Sequence, residues 1–392
     1  MILIFCNCYS AHTGGGITVA QGMIDGLLSS LSSVSYSFVI YCSPKSAPYF
    51  QSYSKLDNVQ LIISQSYPVP GLLSTIISLF WELPLLCRTT SLSDYIFLNF
   101  SDLPIPFVKN QVLYFDWSFA ICSWYELFSF SMPDVCIFIS RFFKRCLLKF
   151  LFAFSSDYLK IVCQTRFIQD RLSYDYSFSK SSILVLPNPA SSFTVTPRND
   201  PEAFAIDQCL ISSNVKILLC LSAYYTHKNL FILPTVAKLL ASARSDIVIF
   251  TTFDPYSSVS ASRLDSIISR THNIFNLGPI DKAYLPELYS ISSALLLPSL
   301  LESYSGCYQE AFSSEIPVLT SALPFAFEIC EDAAVYFDPY SPESIFQAIN
   351  TLFSSPSTYT SCILNGVKLR SQTRSWHDNA IEFFSFLGIS LS

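Results

Sequence analysis

Short β-branched and apolar runs alternate with stretches of helical period along nearly the whole chain, and this alternation limits the fold more than any other feature. A strand, a helical crossover and a further strand in the same direction build a parallel sheet with helices on its faces. In the first half the candidate strands are Ile2–Cys8, Ser37–Tyr41, Val59–Ile63, Tyr95–Leu98, Val112–Phe115, Val135–Ile139 and Ile161–Cys163, and the run from Ile183 to Pro189 closes it. In the second half they are Lys216–Ser222, Ile247–Thr251, Ile274–Leu277, Ala294–Leu297 and Pro317–Leu319. From about Ala190 to Asn214 the chain carries Pro197, Pro201 and several serines, and reads as a linker. A chain of 392 residues divides naturally into two α/β domains of about 150–200 residues. The expected division is 1–190, a linker 191–214, a second domain 215–370 and a terminal helix 371–392.

Composition removes several function classes. The net charge is −6 and no basic stripe long enough to track phosphates is present, which argues against a nucleic-acid partner. Only 13% of residues are charged while 15% are aromatic, so contact with a membrane surface becomes an expectation. The apolar start Met1–Cys8 has no basic flank and only a strand's length, unlike a signal peptide. Gly71–Leu86 is apolar but short, and Glu82 and Pro84 interrupt it; a spanning helix needs about 20 clean residues. Thirteen scattered cysteines without a CxxC pair read as reduced, buried thiols of a cytoplasmic protein. His12, His227, His272 and His377 lie too far apart in sequence for a metal set.

The densest chemistry lies in Pro298–Ala311, bracketed by Glu302 and Glu310. Ala294–Pro298 reads as a buried strand, which puts Glu302 in a strand-to-helix loop and Glu310 one to two turns inside the helix. Ser303, Ser305 and Gly306 fall at the helix entry, where side-chain oxygens cap and a missing Cβ admits a ligand. Amides and the positive dipole end there suit a phosphate, and flanking carboxylates suit sugar and ribose hydroxyls. Lys228, in Leu221–Leu230, is a cation at a strand C-terminus, suited to the charge that develops on a departing diphosphate. Gly14, Gly15 and Gly16 follow the first strand and precede the helical pattern that starts at Ile17. They suit either a flexible turn or a close approach to a ligand, and they do not form the GxGxxG of a dinucleotide site.

The Glu-x7-Glu spacing of Glu302 and Glu310, the run Gly278–Ser299 before it, and Pro317–Ser321, Glu328, Asp332–Ala334 and Asp338–Pro339 after it resemble the GT4 family of retaining glycosyltransferases. Lys228-Asn229 upstream completes the order, and the match is continuous from about Lys216 to Ile349. The resemblance implies a GT-B fold: two Rossmann-like α/β domains facing across a cleft, with the terminal helix crossing back to the first. It implies transfer of a hexose, with retention, from a UDP- or GDP-linked nucleotide-sugar to a saccharide or lipid-linked saccharide acceptor in surface polysaccharide or lipopolysaccharide assembly. Glu302 would meet the donor sugar, Glu310 the ribose, Gly278 the base, and Gly14–Gly16 the donor phosphates and acceptor.

The chain departs from the family at two points. Ala223 and Tyr224 stand where many members carry an arginine, with His227 a substitute, and no histidine accompanies Asp116-Trp117. A GT-B binding protein without catalysis and a GT-B epimerase therefore stay open as alternatives. No Asp-x-Asp motif is suitably placed, so neither metal nor other cofactor is expected beside the nucleotide-sugar. Finally, Arg141–Phe152 reads as a helix with Arg141, Lys144, Arg145 and Lys149 on one face, opposite Phe142, Phe143, Leu147 and Phe150. That pattern suits either an interfacial helix on the inner membrane surface or a core helix with a solvated basic side.

Overall fold

The computed structural model describes residues 1–11, 14–65, 77–83, 86, 95–106, 108–132, 135–189 and 215–391. His12, half of the stretch Gly71–Leu86 and the expected linker 191–214 lie outside them. The chain forms two compact units, Met1–Pro189 with Arg374–Ser392, and Ala190–Thr373.

The first unit contains β1 (Ile2–Asn7), α1 (Gly14–Ser30), β2 (Tyr36–Cys42), α2 (Ala47–Phe50), β3 (Val59–Ile63), β4 (Ile96–Asn99), β5 (Gln111–Tyr114), α3 (Trp124–Ser129), α4 (Val135–Ser155), β6 (Lys160–Cys163), α5 (Arg166–Tyr176) and β7 (Ile183–Val185). Its strands form one parallel sheet in the order β3-β2-β1-β4-β5-β6-β7. Two apolar cores hold it, one including Ile4, Met23, Leu27 and Phe38, the other Phe5, Phe97, Leu113 and Phe152. Helices on both faces explain why the strands read as unbroken apolar runs. At the sheet's centre a buried amide chain replaces apolar packing. Asn7 Nδ2 donates to Asn99 Oδ1 at 2.9 Å, and Asn99 Nδ2 donates to Gln111 Oε1 at 2.8 Å. Each buried polar group thereby finds a partner, as it must where water is excluded.

Two expectations for this unit fail. Val135–Ile139 is no strand; it opens the helix α4. A five-residue apolar run cannot tell strand from helix by itself, and here it continues without a break into the helical pattern that follows. The faces of that helix are also reversed. Arg145, Leu148, Leu151, Phe152 and Ser155 are buried, whereas Phe143, Phe150 and Phe154 are 63%, 58% and 71% exposed. Arg141, Lys144 and Arg145 turn inward because aromatic rings receive them, while Lys149 stays exposed. Arg141 lies 3.8 Å from the Phe119 ring, Lys144 4.3 Å from Trp117 and Arg145 4.2 Å from Trp124, contacts that the ring quadrupoles favour.

The helix α13 (Trp376–Phe386) completes the first unit, since Ala380, Phe383 and Phe384 sit in its core. Gly22 and Gly26, one turn apart on α1, form a notch for Trp376. A Cβ at Gly22 would come 2.2 Å from the indole, and one at Gly26 2.2 Å from the Trp376 carbonyl oxygen. Asn379 Nδ2 also donates to the Pro187 carbonyl at 2.9 Å.

The second unit runs β8 (Lys216–Cys220), α6 (Leu233–Ala243), β9 (Ile247–Thr251), α7 (Val259–Ile268), β10 (Ile274–Asn276), α8 (Leu285–Ser290), β11 (Ala294–Leu297), α9 (Gly306–Ser313), β12 (Val318–Ser321), α10 (Pro324–Cys330), β13 (Ala334–Phe337), α11 (Pro342–Ser354) and α12 (Pro356–Ser371). Its parallel sheet has the order β10-β9-β8-β11-β12-β13. Four residues long and only partly buried over three of them, β13 is a strand that the sequence reading did not register. In both sheets the first strand lies between the second and the fourth, so the direction of winding reverses beside it. Open α/β sheets bind ligands outside the strand C-termini at such a switch point.

Candidate active site

The switch point of the second sheet lies between β8 and β11. Beyond β8 the chain turns through a short 3-10 segment, Thr226–Lys228, and Asn229 takes a left-handed φ of 57°. Asparagine tolerates that conformation better than most residues, and its Nδ2 donates to the Pro339 carbonyl at 2.7 Å. This fixes the backbone on which Lys228 stands. Beyond β11, the Leu300 amide donates to the His227 carbonyl at 2.7 Å and ties the two loops together. Glu302 follows, and Lys228 Nζ donates to its Oε1 at 2.6 Å. The side chains are only 19% and 8% exposed.

Burial alone would lower the lysine's pKa, but the Glu302 charge and hydrogen bond outweigh it and hold Lys228 above its ordinary range. Lys228 is therefore a fixed, permanently charged cation at neutral pH. The sequence singled out both residues without foreseeing that each is the other's partner.

Glu302 leads into α9. Ser305 stands at its N-cap position in extended conformation, but its side chain makes no capping bond. The expected serine cap is thus absent, and the helix entry presents its amide end without a side-chain oxygen over it. Gly306 opens the helix, and four residues on, Glu310 points back along the same face. A Cβ on Gly306 would lie 4.0 Å from Glu310 Oε1. The other oxygen, Oε2, accepts from the hydroxyl of Tyr289 at 2.9 Å. Burial raises the Glu310 pKa, opposed by the Tyr289 bond and the Lys282 charge. Helix α9 is itself held from behind, since Tyr308 shares a 2.7 Å hydrogen bond with Thr320. Sequence reasoning missed Tyr289, although a tyrosine between apolar helix positions, next to a buried strand, often hides such a bond.

Two other expected contributors belong to this unit, one after β10 and the other beside Lys228. Gly278, with φ 74°, follows the outer strand β10, and its amide donates to Asn276 Oδ1 at 3.3 Å. His227, the candidate substitute for the missing arginine, is buried and stacked on Tyr225 with 5.5 Å between ring centroids. An open groove of about 830 Å³ lies at the opposite end of the sheet, among residues that precede β8, β9 and β10, away from Lys228 and Glu302.

In the first unit, Gly14, Gly15 and Gly16 are not a turn before the helix; they are the first turn of α1. Only Gly14 has a left-handed φ, of 54°, and among the described residues no atom lies within 4 Å of a Cβ placed on any of the three. Their surface is open to a ligand. Gly16 lines a pocket of about 160 Å³ with Ser10, Asp102, Tyr114 and Asp116, again at a switch point, between β1 and β4. Lys144 pairs with Asp102. Burial, and then the Asp102 charge, push Asp116 up to about 6, against the pull of Lys144. Asp116, doubtful from sequence, is thus a pocket residue.

Residues 202–369 match the family model of glycosyl transferases group 1. The match falls within the second unit and covers most of it. The O-antigen chain mannosyltransferase RfbU of Salmonella typhimurium is 21% identical over 253 residues, which cover 64% of this chain and 63% of that protein. The match therefore spans under two thirds of that relative's length. Among solved structures, a glycosyltransferase from Rickettsia africae superposes with a TM-score of 0.71 at 16% identity, covering 99% of both chains. HepE of Anabaena, in complex with UDP and glucose, gives 0.68 at 13% identity, covering 99% of this chain and 100% of that one. The likenesses to solved structures establish the fold, the two-unit GT-B architecture.

Proposed function

We propose that this chain is a group 1 glycosyl transferase that moves a hexose, with retention of configuration, from a UDP- or GDP-linked donor to a saccharide or lipid-linked saccharide acceptor in surface polysaccharide assembly. The observation that carries the reading is the buried Lys228–Glu302 pair at a sheet switch point, next to the uncapped entry of α9. A diphosphate leaving group gains charge as the glycosidic bond breaks. A lysine already fixed, with helix amides beside it, stabilises that charge without reorganisation. Glu302 orients the ammonium and lies where the donor sugar would pass. In this retaining scheme a phosphate oxygen accepts the acceptor's proton on the face that the diphosphate vacates. No side chain is then needed as general base.

The acceptor would lie against the first unit's pocket, where Asp102, Asp116 and Ser10 offer hydrogen bonds to hydroxyls. The reversed helix α4 supports a lipid-linked acceptor. Its exposed phenylalanines suit the interfacial layer of a cytoplasmic membrane face, and its charged residues are all cationic. Among the described residues no helix is long and apolar enough to cross a membrane.

The test is transfer from UDP- and GDP-hexoses to a lipid-linked saccharide in excess EDTA, with the product anomer read by NMR. Metal-free, acceptor-dependent transfer with retention is expected. Loss on chelation with recovery on Mg²⁺, an inverted product, or turnover of donor without acceptor would overturn it.

A further inference from the structure

We infer that Tyr289 is the positioning residue that makes Glu310 a reader of the donor's ribose, by tying down one carboxylate oxygen and presenting the other to the helix entry. This deepens the proposed donor site and rests on it. Tyr289 is fully buried near the C-terminus of α8. Its hydroxyl donates to Glu310 Oε2 at 2.9 Å and lies 3.5 Å from the Cys307 carbonyl. Among the described residues it is the one hydrogen-bond donor to the Glu310 side chain. Oε1 remains on the side of Gly306, where a Cβ would find nothing nearer than that oxygen at 4.0 Å. The helix therefore has room at its entry, and a carboxylate oxygen faces that room.

The division of labour follows from hydrogen-bond capacity. A carboxylate that accepts at both oxygens can serve a fixed internal donor and an external one together. Without the internal bond the side chain is free to rotate, and a vicinal diol bound to it must first immobilise it. Burial holds the Tyr289 phenol well above the ordinary tyrosine range, so at neutral pH it is protonated and a donor. Tyr289 is fully buried and acts through Glu310. Its role is to fix an orientation.

The test compares UDP and GDP with their 2′,3′-dideoxy counterparts by calorimetry, in the wild type and in Tyr289→Phe. A charge-assisted hydrogen bond contributes about 1.5–3 kcal/mol, so the wild type should prefer the ribonucleotide by roughly 10- to 100-fold. The Tyr289→Phe variant should lose most of that preference while binding the dideoxy nucleotide as the wild type does. Equal weakening of both nucleotides would mean a merely structural role, and an unchanged preference would mean no role; either overturns the inference. A wild type indifferent to the ribose hydroxyls would instead overturn the assignment of Glu310. If Tyr289→Phe does not fold, replacement of Tyr289 by the near-isosteric, more acidic difluorotyrosine decides. Ribose preference should then fall as that variant's phenol ionises, followed by its ultraviolet absorbance, and a preference unchanged across that ionisation overturns the inference.

Discussion

Lys228 and Glu302 were legible as separate residues, each from its place after a strand, but not as a pair. They stand 74 positions apart in sequence, and only the order of strands makes β8 and β11 neighbours. The pairing changes what a mutation does. Lys228→Ala leaves a carboxylate buried without its cation, which costs about 3–5 kcal/mol. The single variant should therefore melt well below the wild type as well as lose transfer. The double variant Lys228→Met with Glu302→Gln should regain most of the melting temperature and none of the activity, and a scan with a donor assay separates the two effects.

Asp116 gives a pH prediction. Its folded pKa, near 6, lies above the ordinary aspartate value, so the folded state holds its proton more tightly than the unfolded chain does. Stability from this group is highest below the unfolded pKa and declines as pH rises toward 6. Asp116→Asn should therefore stabilise the protein at pH 7.5 and leave it nearly unchanged at pH 4. Denaturant melts at both pH values check this; a greater gain at pH 4 would contradict the raised pKa of Asp116.

Among the elements, the parallel strands were the most readable, because burial on both faces leaves each a short block of apolar, β-branched residues. Val59–Ile63, Ile247–Thr251 and Ala294–Leu297 match to the residue. Helix α4 was readable as a helix from Arg141 onward but not in orientation. Amphipathic reasoning assumes that the apolar face turns inward, and here Trp117, Phe119 and Trp124, distant in sequence, draw the cations in instead. If the outward phenylalanines meet lipid, replacing Phe143, Phe150 and Phe154 by serine should abolish sedimentation with anionic vesicles and leave the melting temperature within a degree or two. Exposed side chains contribute little to folding, so a large loss of stability would show that they are packed in solution.

For the molecule as a whole, two α/β units could be read from alternation alone, whereas the return of the terminal helix to the first unit came only from the family resemblance. Nothing in Trp376–Phe386 names its partner, and the notch at Gly22 and Gly26 shows in sequence only as two glycines one turn apart. Deleting residues 374–392 would empty that notch and uncover core residues such as Met23 and Leu27. The first unit should then unfold early or aggregate, while the second, whose core includes none of the deleted residues, should keep its own melting transition and its nucleotide binding. Calorimetry of the truncated chain would reveal this as one lost and one retained transition.

The same arrangement sets an order of events at the ribosome. Residues 1–189 emerge first but lack their last helix until the entire second unit has been synthesised, roughly ten to forty seconds at about 5–20 residues per second. During that interval the nascent first unit displays a glycine-lined groove and open apolar surface, a substrate for chaperones. The second unit, contiguous in sequence, has every segment it needs before translation ends. A protein whose first unit begins synthesis earliest is therefore built to finish that unit last.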